Sequence, residues 1–153
     1  DKKNNLNNSI DLIQKEGISI KKRSKFYITK SWPNENFPSF INAIILIETK
    51  LNLNELFLKI KKIEKKLGRT KSKRNHPRVC DIDIIDYNCE TIHRKLGNHK
   101  LNIPHKRMHN RNFVLFPLYE LDKDWVHPKL NKNIVFLMSN LTLDQLLGIK
   151  IAQ

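Results

Sequence analysis

Asp81 and Asp83 stand two residues apart inside the apolar, β-branched stretch Val79-Cys80-Asp81-Ile82-Asp83-Ile84-Ile85. In a strand, side chains i and i+2 leave the same face, so both carboxylates point one way, with Cα atoms roughly 6.5 Å apart. Two anions on one half-buried face repel each other and lose hydration. They need a cationic partner, and a hard divalent metal with oxygen ligands suits them. Asp86 is out of phase with the pair and belongs to the surface or a turn. Just upstream runs a basic segment, Arg69-Thr70-Lys71-Ser72-Lys73-Arg74, with Arg78 beyond it. Carboxylates for magnesium beside cations for phosphate point to phosphoryl-type transfer from a nucleotide. Each feature alone has a plainer reading: two acids on a solvated strand face, and an exposed charged loop.

Other residues add to this chemistry. His105 follows Ile103-Pro104 and precedes Lys106, Arg107 and Arg111, a setting suited to phosphate. His93, His99, His105, His109 and His127 lack zinc-finger spacing, and Cys80 and Cys89 form no CxxC pair, which argues against structural zinc. Asn42 opens an apolar stretch and needs a hydrogen-bond partner, either loop backbone or a polar heterocycle. Phe40 and Phe113 are candidates for core packing or for stacking on a flat ligand.

The elements that must position these residues can be read from periodicity and turn residues. The pattern predicts a helix over ~3–16 with Gly17 as its stop, and a strand over ~18–30. A Pro/Asn loop covers 31–38, and a mostly apolar strand spans Ile41 to Thr49. An amphipathic helix runs from Leu53 to Leu67, carrying Leu56, Ile60, Ile63 and Leu67 on one stripe, and Gly68 closes it. A basic loop then leads to the aspartate strand, 79–87. Residues 92–104 read as irregular, a helix is expected over ~111–121 despite Pro117, and a last helix follows Thr142 as its cap. The order α-β-β-α-β is a ferredoxin-like βαββαβ pattern without its opening strand, hence an α+β fold.

Length and composition bound the rest. At 153 residues, without repeats or a low-complexity linker, residues 1–153 read as a single domain. No apolar run reaches the ~18 residues of a membrane span, and the start, Asp1-Lys2-Lys3-Asn4-Asn5, has no signal-peptide core. Two cysteines make no disulfide framework, so a reducing cytoplasm is expected, with Cys80 as a small core residue. The formal charge of +14 would serve either capture of ATP or nucleic-acid binding. The scatter of the charges, and two phenylalanines set far apart, favour a small heterocyclic ligand over an RNA platform, which shows aromatics on adjacent strands.

Together these blocks resemble the 6-hydroxymethyl-7,8-dihydropterin pyrophosphokinase family. The resemblance rests on Phe26-Tyr27-Ile28-Thr29, Phe40-Ile41-Asn42-Ala43, Ile63-Glu64 with Gly68-Arg69, and Pro77-Arg78 with Asp81-Ile82-Asp83-Ile84. It extends through Ile103-Pro104-His105, Asn110-Arg111-Asn112-Phe113 and Pro117-Leu118. It implies transfer of pyrophosphate from ATP to a pterin hydroxymethyl group, leaving AMP, with two magnesium ions bridged by Asp81 and Asp83. It further implies that Arg78 is catalytic. Glu64, Lys71, Arg74, Ile84, His105 and Arg111 would contact ATP, and Thr29, Phe40, Asn42 and Phe113 the pterin. A monomer with small-molecule substrates, and with no nucleic-acid or membrane partner, is expected. There are departures from the family: Asn75-His76 replaces Trp-Gly, Phe40 replaces Tyr, and Lys30-Ser31-Trp32-Pro33 replaces a Pro-rich loop. The family's first strand, ending in Gly-Ser-Asn, is absent ahead of Asp1, so the chain reads as N-terminally truncated.

Overall fold

The computed structural model describes residues 2–31, 38–68 and 80–153. Helix α1 (Lys2–Lys15) leads to β1 (Ser19–Arg23) and β2 (Tyr27–Thr29). After β3 (Phe40–Asn42) and β4 (Ile45–Glu48) comes α2 (Leu53–Lys66). A hairpin follows, β5 (Ile92–Leu96) and β6 (His99–Ile103), then α3 (Asn112–Leu121), β7 (Val126–His127) and β8 (Lys132–Asn133). The chain closes with α4 (Ile134–Ser139), α5 (Leu143–Leu147) and β9 (Ile149–Ile151). The fold is α+β. Among the described residues its strands form four small antiparallel sheets, β1-β4, β3-β2-β9, β5-β6 and β7-β8. No helix is long and apolar enough to cross a membrane among those residues.

The two strands expected over 18–30 and 41–49 are each broken in the middle, at the same level. Ser24 explains both breaks. Its N–H donates to the Ile44 carbonyl at 2.9 Å, and its Oγ accepts the Ile44 N–H at 3.0 Å. A side-chain hydroxyl thus replaces one rung of the ladder, and the pairing shifts from β1-β4, where Arg23 faces Ile45, to β2-β3, where Tyr27 faces Asn42. Residues 92–104, expected to be irregular, form a regular hairpin turning at Gly97, whose φ of +56° suits a residue without Cβ.

Helix α2 obeys its local code. Asn52 accepts the N–H groups of Asn54 and Glu55, and the Glu55 carboxylate returns to the Asn52 N–H at 2.9 Å, a complete capping box. Leu56, Ile60 and Ile63 bury one face against Ile13 and Ile18. Leu53 and Phe57 bury another against Leu101 and Ile103 of β6. A third core joins α3, α4 and Trp125 around Leu115 and Ile134, both fully buried. Gly68 ends the α2 region at a φ of +87°, as a helix stop does. Thr142 caps α5 through a second capping box, as its sequence position implied.

The aspartate stretch is the main correction to the expected architecture. Residues 80–84 carry the strand alternation, with Cys80 buried, Asp81 and Asp83 exposed and Ile82 and Ile84 half-buried, but among the described residues this segment pairs with no strand. Between this segment and β4 lies a cavity of about 600 Å³, floored by Ile10, Ile13, Leu56 and Ile60 of α1 and α2. Every residue from Ala43 to Thr49 and from Cys80 to Cys89 borders it. Both parities of each stretch therefore face the gap, which means that backbone edges line it rather than one side-chain face.

Candidate functional site

The aspartate segment is fixed by side chains instead of a ladder. The Ile82 N–H donates to Glu64 Oε1 at 2.9 Å. At the far end, Asp86 Oδ2 accepts the Trp125 indole N–H at 2.7 Å, and Asp86 Oδ1 accepts the Cys89 N–H at 3.0 Å. Asp86 is thus an anchor in a turn. Cys80 is buried, as a core residue should be, and burial pushes its thiol up. Held at both ends, the segment presents Asp81 and Asp83 on its exposed side.

Facing Asp83 is the turn that leads into α3. Arg111, just before the helix, places Nη1 3.9 Å from Asp83 Oδ2 and its guanidinium carbon 5.3 Å from the Phe113 ring centroid. Burial lowers the Arg111 pKa, with Arg107 acting the same way and Asp83 opposing. His105 accepts the Arg107 N–H on Nδ1 at 3.3 Å. Burial pushes its pKa down; Asp83 opposes this, and Arg111 and Arg107 add to the lowering. A cavity of about 400 Å³ opens between these residues and α2, bordered by Asp83, Ile84 and His105 together with Phe57, Lys61 and the β6 residues His99 to Asn102.

A second group lies on β2 and β3. Asn42 donates through Nδ2 to Thr29 Oγ1 at 3.1 Å, so the polar partner its position required is a buried hydroxyl across the sheet. Phe40 pairs with Thr29 in register and leaves its own ring 40% exposed. This sheet is tied to α3 by Tyr27, whose hydroxyl donates to Glu120 at 2.8 Å, and by the Lys25 N–H on the same carboxylate. Phe113, at the start of α3, and Ile44, just past β3, pack on one shared core.

The geometry thus gathers Asp83, Ile84 and His105 around one cavity, with Arg111 beside Asp83 and Asp81 on the same exposed side of the chain, and links the Thr29/Phe40/Asn42 sheet to the helix bearing Phe113. Glu64 is 1% exposed; its carboxylate accepts the Ile82 N–H and pairs with Lys61. Lys71, Arg74 and Arg78, like Trp32, Pro33, Asn75 and His76, lie outside the described residues. Sequence reasoning missed the cavity wall made by Phe57, Lys61 and His99. Phe57 meets the His99 ring edge-on at 5.5 Å, and Lys61 Nζ sits 5.3 Å from the Phe57 ring centroid. The signal was present in the i, i+4 spacing of Phe57 and Lys61 on one helix face. It was invisible without the hairpin that carries His99.

Comparison with known proteins fits this arrangement. The family model described as 7,8-dihydro-6-hydroxymethylpterin-pyrophosphokinase matches residues 1–123. A 2-amino-4-hydroxy-6-hydroxymethyldihydropteridine pyrophosphokinase of Aquifex aeolicus is 39% identical over 117 residues, 76% of this chain and 71% of that protein. The protein of the same name from Haemophilus influenzae is 39% identical over 105 residues, 69% of this chain and 63% of its own length. A folic acid synthesis protein of Pneumocystis carinii is 37% identical over 131 residues, 81% of this chain but only 17% of that much longer protein. The chain therefore spans about two thirds of the bacterial relatives. It belongs to the 7,8-dihydro-6-hydroxymethylpterin-pyrophosphokinase family.

Proposed function

We propose that this member of the family transfers the terminal pyrophosphoryl group of ATP to the hydroxymethyl oxygen of 6-hydroxymethyl-7,8-dihydropterin, releasing AMP, as a step of folate synthesis. The observation that carries the reading is that Asp83 and His105 border one cavity, with Arg111 3.9 Å from Asp83, within a chain whose residues 1–123 match the family. In this reaction the substrate oxygen bonds to the β-phosphorus, the bond from that phosphorus to the α,β-bridging oxygen breaks, and the hydroxyl proton leaves to solvent or a nearby base. Negative charge builds on the phosphate oxygens.

Asp81 and Asp83 would hold magnesium. Two exposed carboxylates in alternation, with only oxygen donors, fit a hard cation. The bound ions would neutralise phosphate charge during transfer. Arg111 adds a fixed positive charge beside Asp83, positioned by its stack on Phe113. His105 is able to donate to a phosphate oxygen through Nε2, because its Nδ1 already accepts a backbone N–H. Phe57 and Ile84 offer apolar cover for a base, and Lys61 a charge at the cavity wall. For the pterin, the amide of Asn42, aligned by Thr29, supplies a hydrogen-bonding edge, and Phe40 and Phe113 supply flat apolar surfaces. Lys71, Arg74 and Arg78 complete the reading as phosphate contacts, with Arg78 catalytic. The ferredoxin-like arrangement belongs to the same proposal, with the Asp81–Asp83 segment as one of its strands.

The test is AMP release from ATP, magnesium and the hydroxymethyl-dihydropterin. Asp83→Ala should reduce it by about 100-fold or more, the order lost with one charge-stabilising group. Its melting temperature should stay near that of the parent, since the side chain is 52% exposed. Turnover within a few-fold of the parent would refute the assignment.

A further inference from the structure

We infer that Glu64 is a positioning residue that sets the geometry of the Asp81–Asp83 pair by holding the peptide unit between them. The inference rests on the reading that these two aspartates carry the metal.

Glu64 stands near the end of α2 with 1% of its surface exposed, an unusual place for an ionisable side chain. A buried carboxylate is costly unless it is paired and hydrogen-bonded. One oxygen accepts the Ile82 N–H at 2.9 Å, and the other meets Lys61 Nζ at 2.8 Å, one helical turn earlier. Ile82 is the single residue between the two aspartates, so a hydrogen bond to its N–H acts on the peptide unit that sets the direction of both side chains. The segment is also pinned at Asp86, four residues beyond Ile82. Removing the Glu64 anchor leaves the intervening stretch able to rotate, and rotation spreads or closes two carboxylates that repel each other. Groups that orient metal ligands without touching the ion typically control affinity by 10–100-fold.

The roles of charge and of reach can be separated. Glu64→Gln keeps a carbonyl oxygen at the same reach and loses the charge on Lys61. Glu64→Asp keeps the charge and withdraws the oxygen by one methylene. Each full-length variant would be titrated with Mn²⁺ alone and followed by the electron paramagnetic resonance signal of the free ion, with circular dichroism melts in parallel. The expected order is that Glu64→Gln binds within about threefold of the parent, while Glu64→Asp binds about tenfold or more weakly, whatever their relative melting temperatures. Equal Mn²⁺ affinity in the parent and Glu64→Asp would overturn the inference and leave Glu64 a core residue. So would loss of binding in both variants in step with their loss of stability. A folded parent that takes up no Mn²⁺ overturns the metal reading, and this inference with it. A parent that binds, with variants that do not differ from it, overturns this inference alone.

Discussion

Replacing Tyr27 with Phe removes one hydroxyl and tests whether β2 and α3 are held as a unit. The Tyr27 hydroxyl donates to Glu120 Oε2 at 2.8 Å from a ring that is 8% exposed. Burial first, then the Glu120 carboxylate, push the phenol from 10.0 up to about 12. The folded pKa lies above the unfolded one, so the folded state prefers the protonated phenol. That contribution is present in full below about pH 10 and is lost as pH rises toward about 12. A gap of that size corresponds to roughly 2.7 kcal/mol, and a hydrogen bond to a charged acceptor is worth about 1.5–3 kcal/mol. Glu120 keeps the Lys25 N–H, so Tyr27→Phe does not strand the carboxylate, and the lower half of that range is expected. At about 2–4 °C per kcal/mol for a chain of this size, the melting temperature should fall by about 3–8 °C at pH 8. Melts at half-unit steps from pH 8 to 11 should show the parent losing stability toward the alkaline end more steeply than the variant. Because β2 carries Thr29 and α3 carries Phe113, KM for the pterin should rise while KM for ATP holds. A variant within 0.5 kcal/mol of the parent, with a parallel pH profile, would show that the contact ties nothing together.

Phe113→Leu removes the ring under Arg111 and one face offered to the pterin. About 1–1.5 kcal/mol of aromatic contact predicts an approximately tenfold rise in KM for the pterin in steady-state assays, with little change for ATP. A rise confined to ATP would move the pterin elsewhere. His127 is 4% exposed, and its Nδ1 accepts the N–H groups of Lys129 and Leu130, both at 3.2 Å. Burial, with His109 next, lowers its pKa. Its contribution to stability is therefore present above about pH 6.5 and declines as pH falls below that value. His127→Asn keeps an acceptor at the same reach, so it should melt near the parent at pH 5 while losing part of the parent's stability gain between pH 5 and 7. Burial holds His105 down too, so some pH dependence should remain; identical slopes would clear His127 of the effect.

The elements written in local code were legible from the sequence: α1, α2 with its capping box, α3, and the Thr142 cap of α5. Those decided by tertiary contacts were not. The split of two long strands depends on Ser24 reaching Ile44, a contact across 20 residues that no local pattern displays. The β5-β6 hairpin alternates poorly, because His93, Arg94, Lys95, His99 and Lys100 are all exposed and leave only its ends and Leu101 to mark the core face. The site divided in the same way. Residue types suited to metal, phosphate and heterocycle stood out by chemistry, and Asp83, His105 and Arg111 do gather in space. The wall formed by Phe57, Lys61 and His99 needed the hairpin to be seen, and the contact of Glu64 with the Ile82 N–H needed the fold.

The aspartate segment alternates as a strand does, yet among the described residues it has no pairing partner. Alternation was correctly read as two acids on one side with isoleucines beneath, because burial of every second residue needs only one apolar surface. Pairing also needs an edge within reach, and among the described residues β4 faces the segment across a cavity of about 600 Å³. What takes the place of the ladder comes from three directions: Glu64 of α2 on Ile82, Trp125 on Asp86, and the Tyr87 hydroxyl on the Leu51 carbonyl at 3.0 Å. All three grip the backbone or the far end of the segment, and none of them occupies Asp81 or Asp83. The placement of both exposed carboxylates thus draws on these side-chain contacts. Single substitutions at those anchors should consequently move the site far more than they move the fold.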